Sequence, residues 1–262
     1  MNGPPVDWPR ALVLGTRVTV TTFDGAQRMI AALVERRAGD FVSCANVYSI
    51  AMAHQDRVYR DLLNSASVVT ADGMPIVWAL RALGRSAERV HNDDLLPACC
   101  HRYPTWRHFL LGGRTGQPEI VAKELRRRFP GVSIVGTHAT PRRPIPERET
   151  EMILERIENS GADLVWVGMG TPSQDVWMAS VAARTRAPMV GCGSVFDLLA
   201  GNTRPTPGWM KRNGLQWLFR LAQEPRRLAY RYANYNTRFV LAFSAQWARH
   251  TLRGVARRTP PG

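Results

Sequence analysis

The sequence predicts an α/β fold, with a Rossmann-like, mostly parallel sheet, helices on both faces, and a basic helical C-terminal appendage. Short apolar runs rich in β-branched residues alternate with longer segments of helical periodicity, which is the pattern of a parallel sheet covered by helices. Several of these runs end in small residues directly before a predicted helix. Basic residues are concentrated beyond residue 203, where the strand pattern has ended. These observations predict a sheet with a ligand-binding edge and a separate cationic segment.

The individual elements follow from the apolar pattern, taken in chain order. Strands are predicted at residues 17–22, 41–45, 68–71, 106–111, 132–135, 164–167 and 189–192. Helices are predicted at residues 25–37, 47–53, 56–65, 76–83, 118–129, 149–159 and 175–185, with a Pro/Arg-rich connection at residues 141–146. In the helix at residues 56–65, the side chains of Val58, Leu62 and Leu63 are expected to face the core.

The last part of the chain differs in composition from the rest. A linker-like run with two prolines, residues 202–208, divides a predicted α/β core at residues 1–203 from an appendage at residues 204–262. The appendage is predicted to form helices at residues 209–223 and 225–252. It holds twelve Arg or Lys residues and a single acid, Glu224, so it carries +11 of the formal net charge of +14.

Basic and aromatic residues interleave in this appendage, as Arg231 does with Tyr230 and Tyr232. Such a composition suits the surface of an anionic membrane, and it also suits nucleic acid. Since the appendage shows no recognised nucleic-acid-binding fold, the membrane is favoured. The remaining alternative is a basic helix that simply packs on its own domain.

The cysteines and the hydropathy pattern indicate where in the cell the protein is located. Four cysteines lack metal-type spacing, and no secretory signal opens the chain, which together indicate a reducing cytoplasm. The uncharged apolar stretch at residues 239–248 is too short to span a bilayer, which needs about 20 residues. We therefore expect a cytoplasmic protein that is peripheral on the inner face of the cell membrane.

Asp72 is the strongest candidate for a catalytic residue. The apolar run at residues 68–71 predicts a strand, and this single carboxylate follows its last residue. Gly73 and a predicted helix come next. Ligands of open α/β sheets bind at the carboxyl ends of the strands, where Asp72 is expected to lie. The alternative is an Asp that serves only as a turn residue or helix cap.

Three further strand-to-helix junctions have a similar form. Gly112 and Gly113 follow one strand, and glycine lets backbone amides approach a phosphate or a sugar, although packing also favours glycine in such turns. Asp197 closes a turn at residues 191–197. These junctions and Asp72 are expected to line one sheet edge as a nucleotide-type site.

The junction at residues 167–175 adds polar side chains to the small ones. Gly170, Thr171 and Pro172 lead into a helix whose first turn holds Gln174 and Asp175. The amide of Gln174 can bind sugar hydroxyls or phosphate, whereas an acid such as Asp175 is also favoured at a helix N-terminus for capping alone. The chain's isolated histidines, His91 among them, have no ligand spacing, so a structural or solvent role is expected and no metal site is predicted.

Taken in order, these motifs resemble the WecG/TagA/CpsF family of bacterial glycosyltransferases over residues 18–232. The matching stretches are Asn46 within residues 44–53, residues 71–78, Arg89-Val90 with Asp94-Leu95, and residues 109–113, 168–175, 193–201 and 209–227. The resemblance implies transfer of an N-acetylhexosamine-type or related sugar from a UDP-sugar to a lipid-diphosphate-linked acceptor, in the synthesis of surface polysaccharide or teichoic-acid-type polymers. It further implies inversion at the anomeric carbon without a required metal, and an appendage that targets the membrane and completes the site.

The resemblance also implies roles for single residues. Asp72 takes the position of the family's general base, Arg89 and Gln174 match polar positions beside it, and Asn46 matches the first ligand-edge motif. The full predicted substrate-binding set is Asn46, Arg89, Asp94, Gly112, Gly113, Gly170, Thr171, Pro172, Gln174, Asp175, Asp197, Arg204, Arg226 and Arg227. This chain departs from the family at Cys44, where some relatives carry Thr, at Asp175, where Glu is common, and at His91-Asn92, where a residue–Gly pair is usual.

The predicted function is therefore an inverting glycosyltransferase that moves an N-acetylmannosamine-type or related hexose or uronic acid from a UDP-sugar to a polyprenyl-diphosphate-linked saccharide. Arg204, Arg226 and Arg227 are expected to bind the diphosphate, since guanidinium groups bind phosphate oxygens in a two-pronged manner. No cofactor, metal or nucleic acid is expected, and a homo-oligomer is left open. The alternatives are a nicotinamide-dependent oxidoreductase, which would need a complete dinucleotide fingerprint, and a nucleic-acid-binding protein that uses the basic appendage.

Overall fold

The protein has the α/β architecture that the sequence predicts. A computed structural model describes residues 7–140 and 144–256. The start of the predicted core, part of the connection at residues 141–146 and the last residues of the appendage lie outside the described residues.

The first described residues form a small antiparallel hairpin, a two-stranded sheet that is separate from the main sheet but packs against it. Its strands are β1 (Arg10–Val13) and β2 (Thr16–Thr19), joined by a turn in which Gly15 has a φ of +88°. The strand predicted at residues 17–22 overlaps β2 only in part, and β1 was not predicted. A short strand in a two-stranded hairpin carries too few apolar positions to be separated from a loop by pattern alone.

Six parallel strands form the main sheet. They are β3 (Phe41–Ala45), β4 (Val68–Ala71), β5 (Arg107–Gly112), β6 (Ser133–His138), β7 (Leu164–Gly168) and β8 (Met189–Gly191), in the order β4-β3-β8-β7-β5-β6. Every neighbouring pair is parallel, so all six carboxyl ends meet at one edge. The sequence prediction for these six strands is confirmed to within a few residues at each end.

The helices connect these strands and cover the sheet. Their bounds are α1 (Phe23–Arg36), α2 (Val47–Gln55), α3 (Arg57–Ser65), α4 (Met74–Ala82), α5 (Asn92–Arg102), α6 (Gln117–Arg128), α7 (Glu147–Ser160), α8 (Ser173–Val181), α9 (Val195–Leu199), α10 (Gly208–Arg212), α11 (Gln216–Gln223) and α12 (Pro225–Ala256).

Three helix predictions need correction. No helix was predicted where α5 lies, and the single helix expected at residues 209–223 is two helices, since Gly214 between them has a φ of +71°. In α3 the side chain of Val58 is 78% exposed, so the prediction that it faces the core is wrong. Asp56 caps this helix, and the residues that face inward are Tyr59 and Leu63, which lie four positions apart on one side of it.

Two hydrophobic cores lie on the two faces of the sheet, because successive strand residues point to opposite sides. One core contains the buried faces of α4, α7 and α8, and the other contains those of α1, α5, α6 and α9. Within β7, for example, Val165 and Val167 belong to the first core and Trp166 to the second. The helices therefore sit on both faces, as predicted.

The long helix α12 packs against α2 and buries Phe239, which is 4% exposed, in the first core. The rings of Tyr48 and Tyr235 meet edge to face, with their centroids 4.7 Å apart. Further along, the side-chain amide of Gln246 accepts a hydrogen bond from the backbone N–H of Leu14 and donates one to the carbonyl of Leu12. The appendage is thus attached to the α/β core along much of its length.

Candidate active site

A cavity of about 730 Å³ lies at the carboxyl ends of the parallel strands. The loops after β3, β4, β5, β7 and β8 all contribute to its walls, and so do residues of α11 and α12. Nine of the residues that the sequence assigns to catalysis or binding line it, namely Asn46, Asp72, Gly113, Gly170, Thr171, Pro172, Gln174, Asp197 and Arg227.

Asp72 follows the last residue of β4, and its side chain is 12% exposed. Its backbone N–H donates to the carbonyl of Ala45 at the end of the neighbouring strand, which fixes the residue to the sheet edge. Gly73, with a φ of +140°, turns the chain directly into α4. One carboxylate oxygen of Asp72, Oδ1, is buried and has no hydrogen-bond partner among the described residues.

Burial raises the pKa of the Asp72 carboxyl above its ordinary value, because an ionised carboxylate is poorly solvated there. The nearby His91, Arg220 and Arg89 act in the opposite direction, while the negative charge of Asp93 raises the pKa further. A carboxylate with a raised proton affinity is a stronger base than an exposed one. Asp72 is therefore suited to take a proton from a hydroxyl group.

Gln174 joins two of the loops that form the cavity. Its Oε1 accepts hydrogen bonds from the backbone N–H groups of Gly170, at 3.1 Å, and Gly193, at 3.0 Å. The side chain is 2% exposed. Since Oε1 is occupied in this way, the amide nitrogen of Gln174 is the part of the side chain that can donate to a ligand.

Asn46 and Asp197 are also held in place by local contacts. Asn46 caps α2, since its Oδ1 accepts from the backbone of Ser49, and this leaves the Nδ2 group to face a ligand. The Oδ1 of Asp197 accepts a 2.9 Å hydrogen bond from Nε2 of Gln117, whose own Oε1 accepts from the backbone of Arg114. Both side chains are therefore oriented before any ligand arrives.

Gly112 and Asp175 do not line the cavity. A Cβ on Gly112 would lie 2.6 Å from the backbone of Gly168, so this glycine permits close packing of β5 on β7. The carboxylate of Asp175 is buried, and it accepts hydrogen bonds from Ser43 at 2.8 Å and Tyr59 at 2.9 Å. Burial raises its pKa to about 6. These contacts favour structural roles, and the predicted binding roles stay untested.

Arg89 and Asp94 face the appendage. Arg89 donates hydrogen bonds to Gln216 at 2.7 Å and to Asp94 at 3.1 Å, and Lys211 donates to the other oxygen of Asp94 at 2.8 Å. Gln216 also donates to Asp93 at 3.2 Å. We call these five residues the latch, because they connect the start of α5 to α10 and α11.

The appendage does bring arginines to the cavity, but two of the three predicted ones lie elsewhere. Arg227 lines the cavity and pairs with Glu224, whereas Arg226 is exposed and does not line the cavity. Arg204 is bound through its backbone to the side chain of Gln223.

Three arginines that the sequence analysis did not assign to the site also line the cavity: Arg114 of the core, and Arg220 and Arg231 of the appendage. Arg220 lies 3.7 Å from Asp93, and Arg231 lies over the ring of Tyr48, 4.7 Å from its centroid. Arg231 is held partly out of water, which lowers its pKa from the ordinary value. The signal for Arg231 was its spacing, since it lies one helical turn after Arg227.

His91 is another residue that sequence reasoning assigned to structure or solvent. It lines the cavity, and its Nε2 lies 3.5 Å from Oδ1 of Asp72. The only sequence signal was its position at the start of a motif in which this chain departs from the family pattern. Among the described residues, no group of three His, Cys, Asp or Glu side chains is arranged to hold a metal ion.

The site thus combines the buried carboxylates of Asp72 and Asp93 with four arginines, three of them from the appendage, and with several helix N-termini. Helices α2, α4, α8 and α9 begin at this edge of the sheet, where their N–H groups and dipoles favour negative charge. Such an arrangement can bind a diphosphate and remove a proton from a second substrate.

Comparison with known proteins agrees with this chemistry. The sequence model of the glycosyl transferase WecG/TagA/CpsF family matches residues 11–253. A curated relative is the N-acetylglucosaminyldiphosphoundecaprenol N-acetyl-beta-D-mannosaminyltransferase of Staphylococcus aureus (strain MRSA252). It is 27% identical over 192 residues, which cover 72% of this chain and 74% of the relative.

Proposed function

Because the chain belongs to the WecG/TagA/CpsF family of glycosyltransferases, we propose that it transfers an N-acetylmannosamine-type or related sugar from a UDP-sugar to a polyprenyl-diphosphate-linked saccharide. The name of the staphylococcal relative specifies an N-acetylmannosaminyl group and a diphosphoundecaprenol-linked acceptor. In this proposal the product enters cell-surface polysaccharide synthesis. The family supports a glycosyltransferase over the oxidoreductase and the nucleic-acid-binding protein that the sequence left open.

The observation that carries the proposal is the meeting of Asp72 with arginines of the appendage in one cavity. Asp72 supplies a base, and Arg220, Arg227 and Arg231 supply positive charge for a leaving diphosphate. Asp72 belongs to the core and the three arginines belong to the appendage. The hydrogen bonds of the latch hold these two parts of the chain together. A site of this kind suits transfer of a group from a nucleoside diphosphate.

The proposed reaction is a single displacement. Asp72 removes the proton from the acceptor hydroxyl as its oxygen bonds to the anomeric carbon of the sugar. The bond between that carbon and the UDP oxygen breaks, and its electron pair leaves with the diphosphate. The arginines and the helix N-termini stabilise the negative charge that develops there. Since attack and departure occur on opposite faces, the anomeric configuration inverts.

The appendage also supports attachment to a membrane that carries the acceptor. Trp209, Trp217 and Leu218 on α10 and α11 are each more than two-fifths exposed, and Arg212 and Arg226 are exposed near them. Exposed aromatic and aliphatic side chains beside arginines suit the headgroup region of an anionic bilayer. In the described part of the chain, no helix is both long and apolar enough to span a bilayer. We place the protein peripherally on the inner face of the cell membrane.

A transfer assay tests the proposed function. Purified protein is incubated with a panel of UDP-sugars and a short-chain polyprenyl-diphosphate N-acetylglucosamine, and the products are identified by mass spectrometry. We expect one UDP-sugar to give a product enlarged by a single sugar, with an anomeric configuration by NMR opposite to that of the donor. Retention of configuration would contradict the single displacement, and the absence of product from every UDP-sugar would contradict the proposed function.

A further inference from the structure

We infer that His91 is a positioning residue for Asp72, in which a fixed Nε2–H group of the imidazole binds Oδ1 of that carboxylate. The inference deepens the proposed function and rests on it for the identity of the reaction. It concerns a residue in which this chain departs from its family, and it depends on the contacts of both imidazole nitrogens.

The first contact determines which nitrogen carries the proton. His91 caps α5, and its Nδ1 accepts a 3.1 Å hydrogen bond from the backbone N–H of Asp93. A ring nitrogen that accepts a hydrogen bond cannot itself be protonated. The neutral imidazole therefore carries its proton on Nε2, as usual for a histidine whose other nitrogen is engaged.

The second contact places this proton against the catalytic carboxylate. Nε2 of His91 lies 3.5 Å from Oδ1 of Asp72, slightly longer than a hydrogen bond. Oδ1 is buried and has no hydrogen-bond partner within the described ranges, 7–140 and 144–256. Leaving a buried acceptor unpaired is unfavourable, and catalytic hydrogen bonds commonly shorten when substrate binds. A movement of a few tenths of an ångström would satisfy Oδ1.

This pairing assigns different tasks to the two oxygens of Asp72. With Oδ1 held by His91, Oδ2 remains to receive the proton of the acceptor hydroxyl. The imidazole keeps its own proton throughout, so no proton is lost or gained by His91 during transfer. A donor to Oδ1 also favours the ionised carboxylate, which is the form that acts as the base.

Other charged and titratable groups face the same pair. Asp93 lies on α5, with its Oδ2 at 3.5 Å from Nδ1 of His91, and Arg89 precedes that helix. Arg220 approaches from the appendage, and Cys44 from the end of β3. Burial raises the pKa of the Cys44 thiol, so this neighbour stays uncharged. The pH dependence of Asp72 therefore reflects His91 together with two arginines and Asp93.

Substitution of His91 tests the inference through the pH profile of transfer. In His91→Ala, the ionised form of Asp72 loses a donor, so the acid limb of the kcat profile should move to higher pH. We expect kcat to fall about 10- to 100-fold with little change in KM for the UDP-sugar. His91→Gln can place an amide N–H near the position of Nε2 and should recover most of both properties. The control is His101→Ala, which changes an exposed histidine on the same helix.

A measurement that needs no activity completes the test. In ¹⁵N-labelled protein, NMR assigned by comparison with His91→Gln should show His91 protonated on Nε2 and unprotonated on Nδ1. If no UDP-sugar is used, the proposed function fails, and the NMR result alone decides the pairing. An Nδ1–H tautomer, or a His91→Ala enzyme with an unmoved acid limb and normal kcat, would overturn the inference. If His91→Ala does not fold, His91→Gln and the NMR spectrum decide it.

Discussion

Arg89 donates a 2.7 Å hydrogen bond to Oε1 of Gln216, and so joins the edge of the sheet to the appendage. The two residues are 127 positions apart in the chain. Arg89 is therefore bound to the protein itself, although the sequence assigned it to the substrate. Loss of this contact should act on activity indirectly, by loosening the helices that carry the cavity arginines.

We predict that Arg89→Ala and Gln216→Ala each lower the free energy of unfolding by about 1–3 kcal/mol, because each leaves a largely buried polar partner unpaired. The two effects should be strongly non-additive, since the residues bind each other. Chemical denaturation of both single variants and the double variant measures this coupling. Arg85→Ala, an exposed arginine near the same loop, is the control. Additive losses would show that the pair does not act as a unit.

Asp72→Asn should remove most of the transfer activity, by a factor on the order of 10² to 10⁴, because the amide cannot act as a base. The same variant should be more stable than the wild type at neutral pH. The folded-state pKa of Asp72 is raised, so its ionisation in the folded protein is unfavourable. The protonated carboxyl of Asp72 contributes to the free energy of unfolding. This contribution is fully present below the pKa of Asp72 in the unfolded chain, and it is lost as the pH rises through its pKa in the folded protein.

Thermal unfolding across the pH range measures this effect of Asp72→Asn. The gain in Tm should shrink as the pH falls, because the wild-type carboxyl becomes protonated and resembles the amide. Asp61→Asn, on the exposed surface of α3, is the control and should show no such gain. Normal turnover in Asp72→Asn would show that another group is the base.

Asp175→Asn tests a buried carboxyl that lies outside the cavity. In the folded protein its pKa is about 6, against an ordinary value of 3.8. Between pH 3.8 and about 6, the carboxyl is therefore protonated in the folded protein and ionised in the unfolded chain. Stability should therefore decrease by about 2–3 kcal/mol as the pH rises through this window. In Asp175→Asn that decrease should be absent, as measured by denaturation at a series of pH values. A large change in KM with an unaltered pH dependence would instead favour the substrate-binding role.

Arg227→Ala should weaken the binding of UDP, because this guanidinium faces the cavity beside Arg231. The expected loss is roughly tenfold or more, the scale of a hydrogen bond to a charged group. Arg226→Ala is a closely matched control, since it removes the same charge one position earlier, from a residue that does not line the cavity. Titration calorimetry with UDP measures both. Equal losses in the two variants would indicate a general effect of charge in place of a contact.

Trp209→Ser and Leu218→Ser should each reduce binding to vesicles that contain anionic lipid, with little change in Tm, because both side chains are largely exposed. Burial of such a side chain contributes about 1.5–3 kcal/mol, which corresponds to a loss of at least tenfold. Binding of the wild type should also weaken as salt increases. Val58→Ser, an exposed apolar residue on α3, is the control in vesicle sedimentation. Unchanged binding of both appendage variants would exclude this surface as the membrane contact.

The sequence was sufficient to predict the residues whose position depends on local structure. Asp72 directly follows the buried strand β4, and Gln174 lies in the first turn of the helix that follows β7, so local structure determines where both residues lie. The latch could not be foreseen in the same way. Arg89 and Asp94 have partners 127 and 117 residues away, and no local pattern indicates which distant side chain a charged residue will bind.

The arginines of the appendage give a second example of what the sequence alone could not predict. Arg226 and Arg227 are adjacent, so charge alone cannot distinguish them, but successive helix residues point about 100° apart. The phase of α12 turns Arg227 and Arg231 toward the cavity and Arg226 away. That phase is set by the buried contacts of Leu228 and Phe239, which required the structure.

The contact between Gln246 and Leu14 spans 232 residues, so it forms only after residue 246 has been synthesised. During translation the six strands can assemble once residue 191 has emerged, because domains generally fold from the N-terminal side first. At that stage the nascent protein has Asp72, the proposed base, and Arg114, but it lacks the three cavity arginines of the appendage, which lie at residue 220 or later. A chain that stops before residue 220 would therefore lack three of the four arginines that line the cavity. The order of the segments along the chain makes synthesis of the appendage a condition for assembly of the proposed catalytic centre.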